Sequence, residues 1–371
     1  MQNPLKTDGD SAQSLWRWRH LLPLVNWPKR LGLYALAGAA SFLCQSGWAV
    51  EPINDAKAVA AHYQILLSAL SQGKSKQAEE ECRALLAAVT RLMGPNHPDT
   101  FRMRSKWGEV LAAQGKPNEA EQYLRKVVSD ASLQLGPTDP NTLNARNSLS
   151  VVLNLEGKFK ECAQELSAIL PAWTQRFGAA NPSTLAIRTN LARSLMASGG
   201  VKEAEAELRS TLKSVSSPDD PAGLVVRGHL INALLALGKL KEAEAEARTM
   251  VTALEKAGGA EHLETLRAKA KLASILDAQE RFQECFEIRQ KLATSYTTAL
   301  GADNAETQTL YGDLAVVMDE VGRHAEAESL MKQVLDARKR AGAKTADTMA
   351  LELKLGECLA KQGKHEEAVE H

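Results

Sequence analysis

The chain has 371 residues, with 45 lysine and arginine side chains against 45 aspartates and glutamates, and it is 44% apolar but only 5% aromatic. Neutrality without blocks of like charge leaves no basic stripe, so nucleic acid is not an expected partner. The abundance of Ala, Leu, Glu, Lys and Arg favours helix on propensity alone.

The first 49 residues differ from the rest. Arg17, Arg19, Lys29 and Arg30 precede an apolar run over residues 31–43, followed by Gly47-Trp48-Ala49. A basic flank, a short apolar core and small residues two apart make the pattern of a secretory signal peptide cut after Ala49. The run is shorter than the ~20 residues that span a bilayer. An uncleaved anchor, with the protein facing outward, is the second reading. Cys44 lacks the small preceding residue of a lipidation site, since Ser41-Phe42-Leu43 stands there. The expectation is an exported protein, periplasmic or extracellular, that meets the membrane only through this segment if it is retained.

Residues 50–371 form one repeat array. A block recurs at 100–115, 142–157, 184–199, 223–238, 265–280, 307–322 and 348–363, and the starts differ by 42, 42, 39, 42, 42 and 41. It opens on a threonine (Gly223 in one copy) and closes on a glycine (Glu280 in one copy) that a basic residue follows in every copy but one, where Gly200 follows Gly199. A fixed period of this size is the signature of a solenoid built from one supersecondary unit per repeat. About seven full copies and a truncated last one are expected, the chain stopping at His371 within the second helix of the eighth copy.

Within the block, numbered from its threonine as zero, positions 1, 7 and 11 are apolar, as in Leu143, Leu149 and Leu153, and position 8 is small, as in Ser150, Ala192 and Ala273. These positions make one stripe on a helix. The threonine suits an N-cap or a first-turn hydroxyl, and the glycine supplies the exit turn. A second helix follows, with Pro117 in its first turn and Leu135-Gly136-Pro137 at its end. Ala78, Ala120, Ala204, Ala243, Ala327 and Ala368 share one column with Cys162 and Cys285. That column wants a small buried side chain, which free cysteine provides. The two cysteines lie three repeats apart, too far for the ~6 Å that a disulfide needs. Acidic runs such as Lys202-Glu203-Ala204-Glu205 suggest solvated faces with i,i+4 pairing.

The residues themselves resemble a known family. His97-Pro98-Asp99-Thr100, Asn190-Leu191-Ala192 and Gly115-Lys116 with Glu119-Ala120 are similar to tetratricopeptide repeats, of the 42-residue subtype seen in kinesin light chain and its bacterial relatives. The resemblance covers about residues 56 to 371. It implies an all-α fold, a right-handed superhelical solenoid of antiparallel helix pairs, whose concave face binds peptide segments of partner proteins. Two departures stand out: the linker before Gly223 is three residues short, and Glu280 replaces the turn glycine.

No phosphate-binding glycine loop, HExxH or GxSxG motif occurs. The expectation is therefore a protein that is not an enzyme, with no cofactor and no metal. There is no CxxC, and no cysteine–histidine cluster is expected. Arg104, Arg146, Arg188, Arg227 and Lys269 fill position 4. Beside the buried stripe, such side chains suggest aliphatic stems packed between helices with heads paired to glutamate.

At 100° per residue, positions 2, 5, 9, 12 and 13 lie opposite the stripe. They give a candidate peptide groove of Asn144, Asn147, Val151, Asn154, Thr189, Arg193, Met196, Val225, Asn232 and Leu235, with Asp277, Asp319 and Glu320 as an acidic far end. Side-chain amides both donate to and accept from an extended backbone. The resemblance further places Asn147 and Asn190 among the peptide-clamping residues. The expected function is a non-enzymatic protein- or peptide-binding scaffold. Self-assembly through the C-terminal repeat, or service as an accessory domain of an enzyme system, are the rival readings.

Overall fold

The computed structural model describes residues 53–215, 217, 219–342 and 346–369. The expected signal segment lies outside these residues. Among the described residues the regular elements are all helices, and they fall into two compact units that divide at Ser214/Val215.

The first unit holds α1 (Ala56–Ser71), α2 (Ser75–Met93), α3 (Pro98–Ala113), α4 (Pro117–Leu135), α5 (Pro140–Leu155), α6 (Phe159–Phe177), α7 (Pro182–Ala197) and α8 (Val201–Lys213). The second holds α9 (Pro221–Ala236), α10 (Leu240–Gly258), α11 (Leu263–Ala278), α12 (Phe282–Leu300), α13 (Ala305–Glu320), α14 (His324–Arg340), α15 (Ala346–Lys361) and α16 (His365–Ala368). In each unit every helix packs on the next, so the units are tandem helix pairs, and α3 also packs on α5. This is the all-α repeat fold that the period predicts.

The N-caps lie one turn earlier than the threonine. Asp139 Oδ1 accepts from the Asn141 amide at 2.8 Å, Asn181 from Ser183 at 2.9 Å and Asn304 from Glu306 at 2.8 Å. Proline at the first helical position follows several caps, where its missing N–H costs nothing. The threonine is the third helical residue and is wholly buried in most copies. The Thr100 and Thr265 hydroxyls donate to the Gly94 and Gly259 carbonyls that end the preceding helices, at 2.7 and 2.9 Å. Gly223 breaks this column because Val215 fills its place: an added Cβ would lie 2.7 Å from Val215 Cγ1. The shortened linker has a counterpart in α8, which has 13 residues where α6 and α10 have 19.

Burial on the odd-numbered helices extends beyond a single stripe. Position 3 (Met103, Ala145, Ile187, Val226, Ala268) and position 10 (Val110, Val152, Ala233, Ile275, Val317) are buried as well. A helix sandwiched between two neighbours has little free circumference, which one apolar stripe does not reveal. The alanine column is fully buried as expected at Ala78, Ala120, Ala204, Ala243, Ala327 and Cys285, and nearly so at Cys162, while Ala368 is half-buried. Cys82, Cys162, Cys285 and Cys358 are all free. In the first unit Leu124, Leu143, Leu153, Leu166, Ile169 and Trp173 form the main core, and in the second Leu266, Leu292, Tyr296 and Leu310 pack together.

The position 4 cations are paired. Arg146 reaches Glu165 at 2.8 Å and Arg188 reaches Glu207 at 2.6 Å; Arg227 meets Glu246 in the same 19-residue register. Arg104 turns to Asp130 and Lys269 to Glu255. The acidic runs depart from expectation. Glu121, Glu205 and Glu328 are buried, and Glu121 and Glu328 point into the junction with the following repeat. Their i,i+4 partners are present: Arg125, Arg209 and Lys332.

Candidate peptide-binding face

In the first unit the residues left open on α5 and α7 are few, because both flanks of each helix are packed. Positions 2, 9 and 12 remain half-buried: Asn144, Val151 and Asn154 on α5, then Ala186, Arg193 and Met196 on α7. Between the two helices lies a shallow crevice. Ser150, Val151 and Asn154 form one wall, Asn190, Arg193 and Ser194 the other, and Cys162 and Leu166 of α6 the floor. The Cys162 thiol donates to the Ser150 carbonyl at 3.1 Å and meets Ser194 Oγ at 3.1 Å. Burial pushes its pKa up, so it remains a neutral packing group.

Two residues expected on the open face are buried instead. Position 5 turns toward the neighbouring helix, leaving Asn147 8% and Thr189 7% exposed. Thr189 spends its hydroxyl on the Leu185 carbonyl at 2.7 Å. Asn147 is less settled, since its buried amide oxygen accepts no hydrogen bond.

The second unit carries the remaining candidates. Val225 is 48% exposed. Leu235 is half-buried, and Asn232 is exposed and accepts from Lys271. The expected acidic end is largely neutralised from within. Asp277 lies 3.3 Å from Arg289, and Glu320 lies 3.5 Å from Lys361. Asp319, expected on the surface, is buried at 6% exposure, held by His324 at 2.6 Å and Lys361 at 2.7 Å. A basic ligand residue would therefore compete with internal cations.

Arg289 was not singled out in the sequence. It is 4% exposed in a column that holds Leu124, Leu166 and Leu208 in other copies, and that break in the column was the available signal. Its guanidinium donates to the Asp313 carbonyl at 2.9 Å and lies 3.7 Å from that carboxylate. Burial pushes the Asp313 carboxyl above its ordinary range, with Arg289 opposing the shift. A second crevice, lined by residues 238–242 with Gln279 and Arg281, lies where two turns meet. Gln279 and Arg281 both bond Glu244 there, so its polar groups serve the repeat junction.

Family models described as tetratricopeptide repeat match residues 58–130, 99–161 and 268–340, and a second such model matches 189–257. The chain belongs to the tetratricopeptide-repeat family. Among solved structures it is similar to a Podosopora anserina chain described as kinesin light chain with nearly identical TPR-like repeats, at 24% identity and TM-score 0.51, covering 55% of this chain and 97% of that one. It is also similar to BtubC (BKLC) from P. vanneervenii, at 14% and 0.51, covering 65% and 93%. A tetratricopeptide repeat protein from Parabacteroides merdae ATCC 43184 matches at 14% and 0.50, covering 80% and 98%. These likenesses are of fold. A comparison with curated protein sequences finds no significant match. Scaffolds of this family serve protein–protein interaction and are generally non-catalytic.

Proposed function

We propose that the protein is a non-enzymatic scaffold whose odd-helix face in the first unit holds an extended segment of a partner protein. The observation that carries this reading is the crevice between α5 and α7, where the amides of Asn154 and Asn190 flank Val151 and the Leu166 floor. Amides satisfy a peptide backbone in either direction, and the half-buried Val151 between them offers an apolar contact. Asn144 and Met196 extend the same face. The half-exposed Val225 and Leu235 offer the second unit's apolar contacts.

The protein acts after export, on the strength of residues 1–49. The test of the binding reading is a pull-down from the native host's exported fraction with the wild type and Met196→Glu. A partner held by the wild type and lost by the variant supports the face. Equal retention by both moves the site elsewhere.

A further inference from the structure

Three repeat columns carry ligand-type side chains near the seventh and eighth copies. Position 17 holds Pro117, Phe159, Val201, Leu240 and Phe282, and then His324 and His365. Position 10 holds Val110, Val152, Ser194, Ala233, Ile275 and Val317, and then Cys358. Position 12 holds Ala112, Asn154, Met196 and Leu235, becomes Asp277 and Asp319, and returns to Ala360. Helix packing does not require His324, Cys358 or Asp319, since apolar residues fill the same places in most other copies.

The fold brings all three to one point. Asp319 sits in the last turn of α13, His324 opens α14 and Cys358 lies inside α15. A carboxylate oxygen, the imidazole Nδ1 and the thiol sulfur lie within 4.8 Å of one another. Asp319 Oδ1 and His324 Nδ1 are 2.6 Å apart, while Oδ2 accepts from Lys361 at 2.7 Å. The Gln362 amide donates to Cys358 Sγ at 3.6 Å. Cys358 is fully buried, whereas the His324 side chain is 36% exposed and leaves a way in from solvent.

We propose that Asp319, His324 and Cys358 bind a divalent transition metal of the zinc class, with a water completing a tetrahedron. One oxygen, one imidazole nitrogen and one thiolate are a mixed set suited to zinc, whereas calcium and magnesium take oxygen alone. At metal–ligand distances of ~2.0–2.3 Å the ligand atoms stand roughly 3.3–3.7 Å apart. The cluster reaches that by small side-chain rotations. The ion takes the place of the proton shared by Asp319 and His324, and the thiol proton leaves to solvent. Carboxylate and thiolate then neutralise the two positive charges. Lys361 stays on the outer carboxylate oxygen and orients it, as the partners of metal-bound carboxylates commonly do. These ligands stand five and 34 residues apart in sequence, outside any local metal-binding spacing. Because they come from three helices, binding ties α13, α14 and α15 together, and its free energy adds to their stability.

The experiment uses the full chain and zinc chloride, with cobalt(II) as a spectroscopic probe. Calorimetry should show one ion per chain, thermal unfolding should shift upward, and cobalt should give the near-ultraviolet absorption of a thiolate–metal bond. Cys358→Val and His324→Phe each restore the usual residue of their column, so both should keep native circular dichroism. Each should lose the upward shift and bind at least about a hundredfold more weakly, and Cys358→Val should abolish the cobalt–thiolate band. No stoichiometric binding by the wild type, or undiminished binding by both variants, overturns the proposal and leaves the cluster an ion-paired clamp.

Discussion

Lys158 Nζ, in the turn between α5 and α6, donates to Glu121 Oε2 on α4 at 2.6 Å, across 37 residues of chain. Arg281 meets Glu244 at 2.8 Å and Lys364 meets Glu328 at 2.6 Å in the same way. At these three junctions the basic residue that follows the turn glycine or its replacement binds one repeat to the repeat before it. Each glutamate also takes a cation from its own helix: Arg125, Arg248 or Lys332.

These junctions predict an acid-sensitive array. Hydrogen bonds from Lys158 and Arg125 bring Glu121 down to about 2, and those from Lys332 and Lys364 do the same for Glu328. At Glu244 burial pushes upward, but bonds from Arg248, Gln279 and Arg281 outweigh it and again give about 2. The unfolded value is ~4.3. A folded value below the unfolded one means the stabilisation is complete above about pH 5 and is lost as pH falls toward 2. Urea midpoints measured from pH 6 to pH 3 should fall, and a Glu121→Gln, Glu244→Gln, Glu328→Gln triple variant should fall less steeply. An identical slope in the two proteins would place the acid sensitivity elsewhere.

Glu280 holds φ 59° at the turn where other copies have glycine, and it is the one non-glycine with positive φ among the described residues. A side chain in this left-handed region costs roughly 1–2 kcal/mol, offset in part by the greater freedom of glycine in the unfolded chain. Glu280→Gly should therefore stabilise the second unit by about 0.5–1 kcal/mol, whereas Glu280→Ala keeps the strain and should not. Equal urea midpoints for the two variants would show that the turn stores no strain.

The sequence made the helix pairs legible because their signals are local and recur from copy to copy: glycine turns, first-turn prolines in several copies and the stripe of Leu143, Leu149 and Leu153. The pairing of Arg146, Arg188 and Arg227 was legible too, since its register lies within one repeat, whereas the turns of Arg104 to Asp130 and Lys269 to Glu255 follow no common spacing. Burial of Asn147 and Thr189 was not, because a helical-wheel projection assumes one packed face and these helices have more. The Asp319, His324 and Cys358 cluster was equally hidden. It arises from three helices, and only comparison of columns across copies exposes it.

Leu191 is 4% exposed in the core beside Leu166 and Ile187. Truncation to alanine should cost ~2–5 kcal/mol. In a repeat array each copy is coupled chiefly to its neighbours, so hydrogen exchange should rise first in α6, α7 and α8. A uniform rise from α1 to α8 would contradict that locality.

Residues 1–49 predict removal during export. Intact-mass measurement on protein from the native host should give a chain beginning at Val50, with a net charge of −3 after loss of five basic and two acidic residues. A mass that retains the segment would favour the anchored reading, and recovery of full-length soluble protein from the cytoplasm would rule out export.

Met196 sits half-buried on α7 three residues beyond Arg193, which lines the crevice with Asn154 of α5. Neutral hydrogen bonds contribute only ~0.5–1.5 kcal/mol net each, so apolar contacts should carry much of the affinity for a peptide segment. Met196→Glu places a charge there and should abolish partner binding. Asn154→Ala should weaken it severalfold. Arg146→Ala makes the useful contrast, because its guanidinium is spent on Glu165 at 2.8 Å inside the repeat. Leaving that partly solvated carboxylate unpaired should cost up to ~1 kcal/mol of stability, with affinity for the partner unchanged below the melting transition. If Met196→Glu binds as tightly as wild type while Arg146→Ala loses affinity, the α5–α7 face is not the site, and the even-numbered helices must carry it.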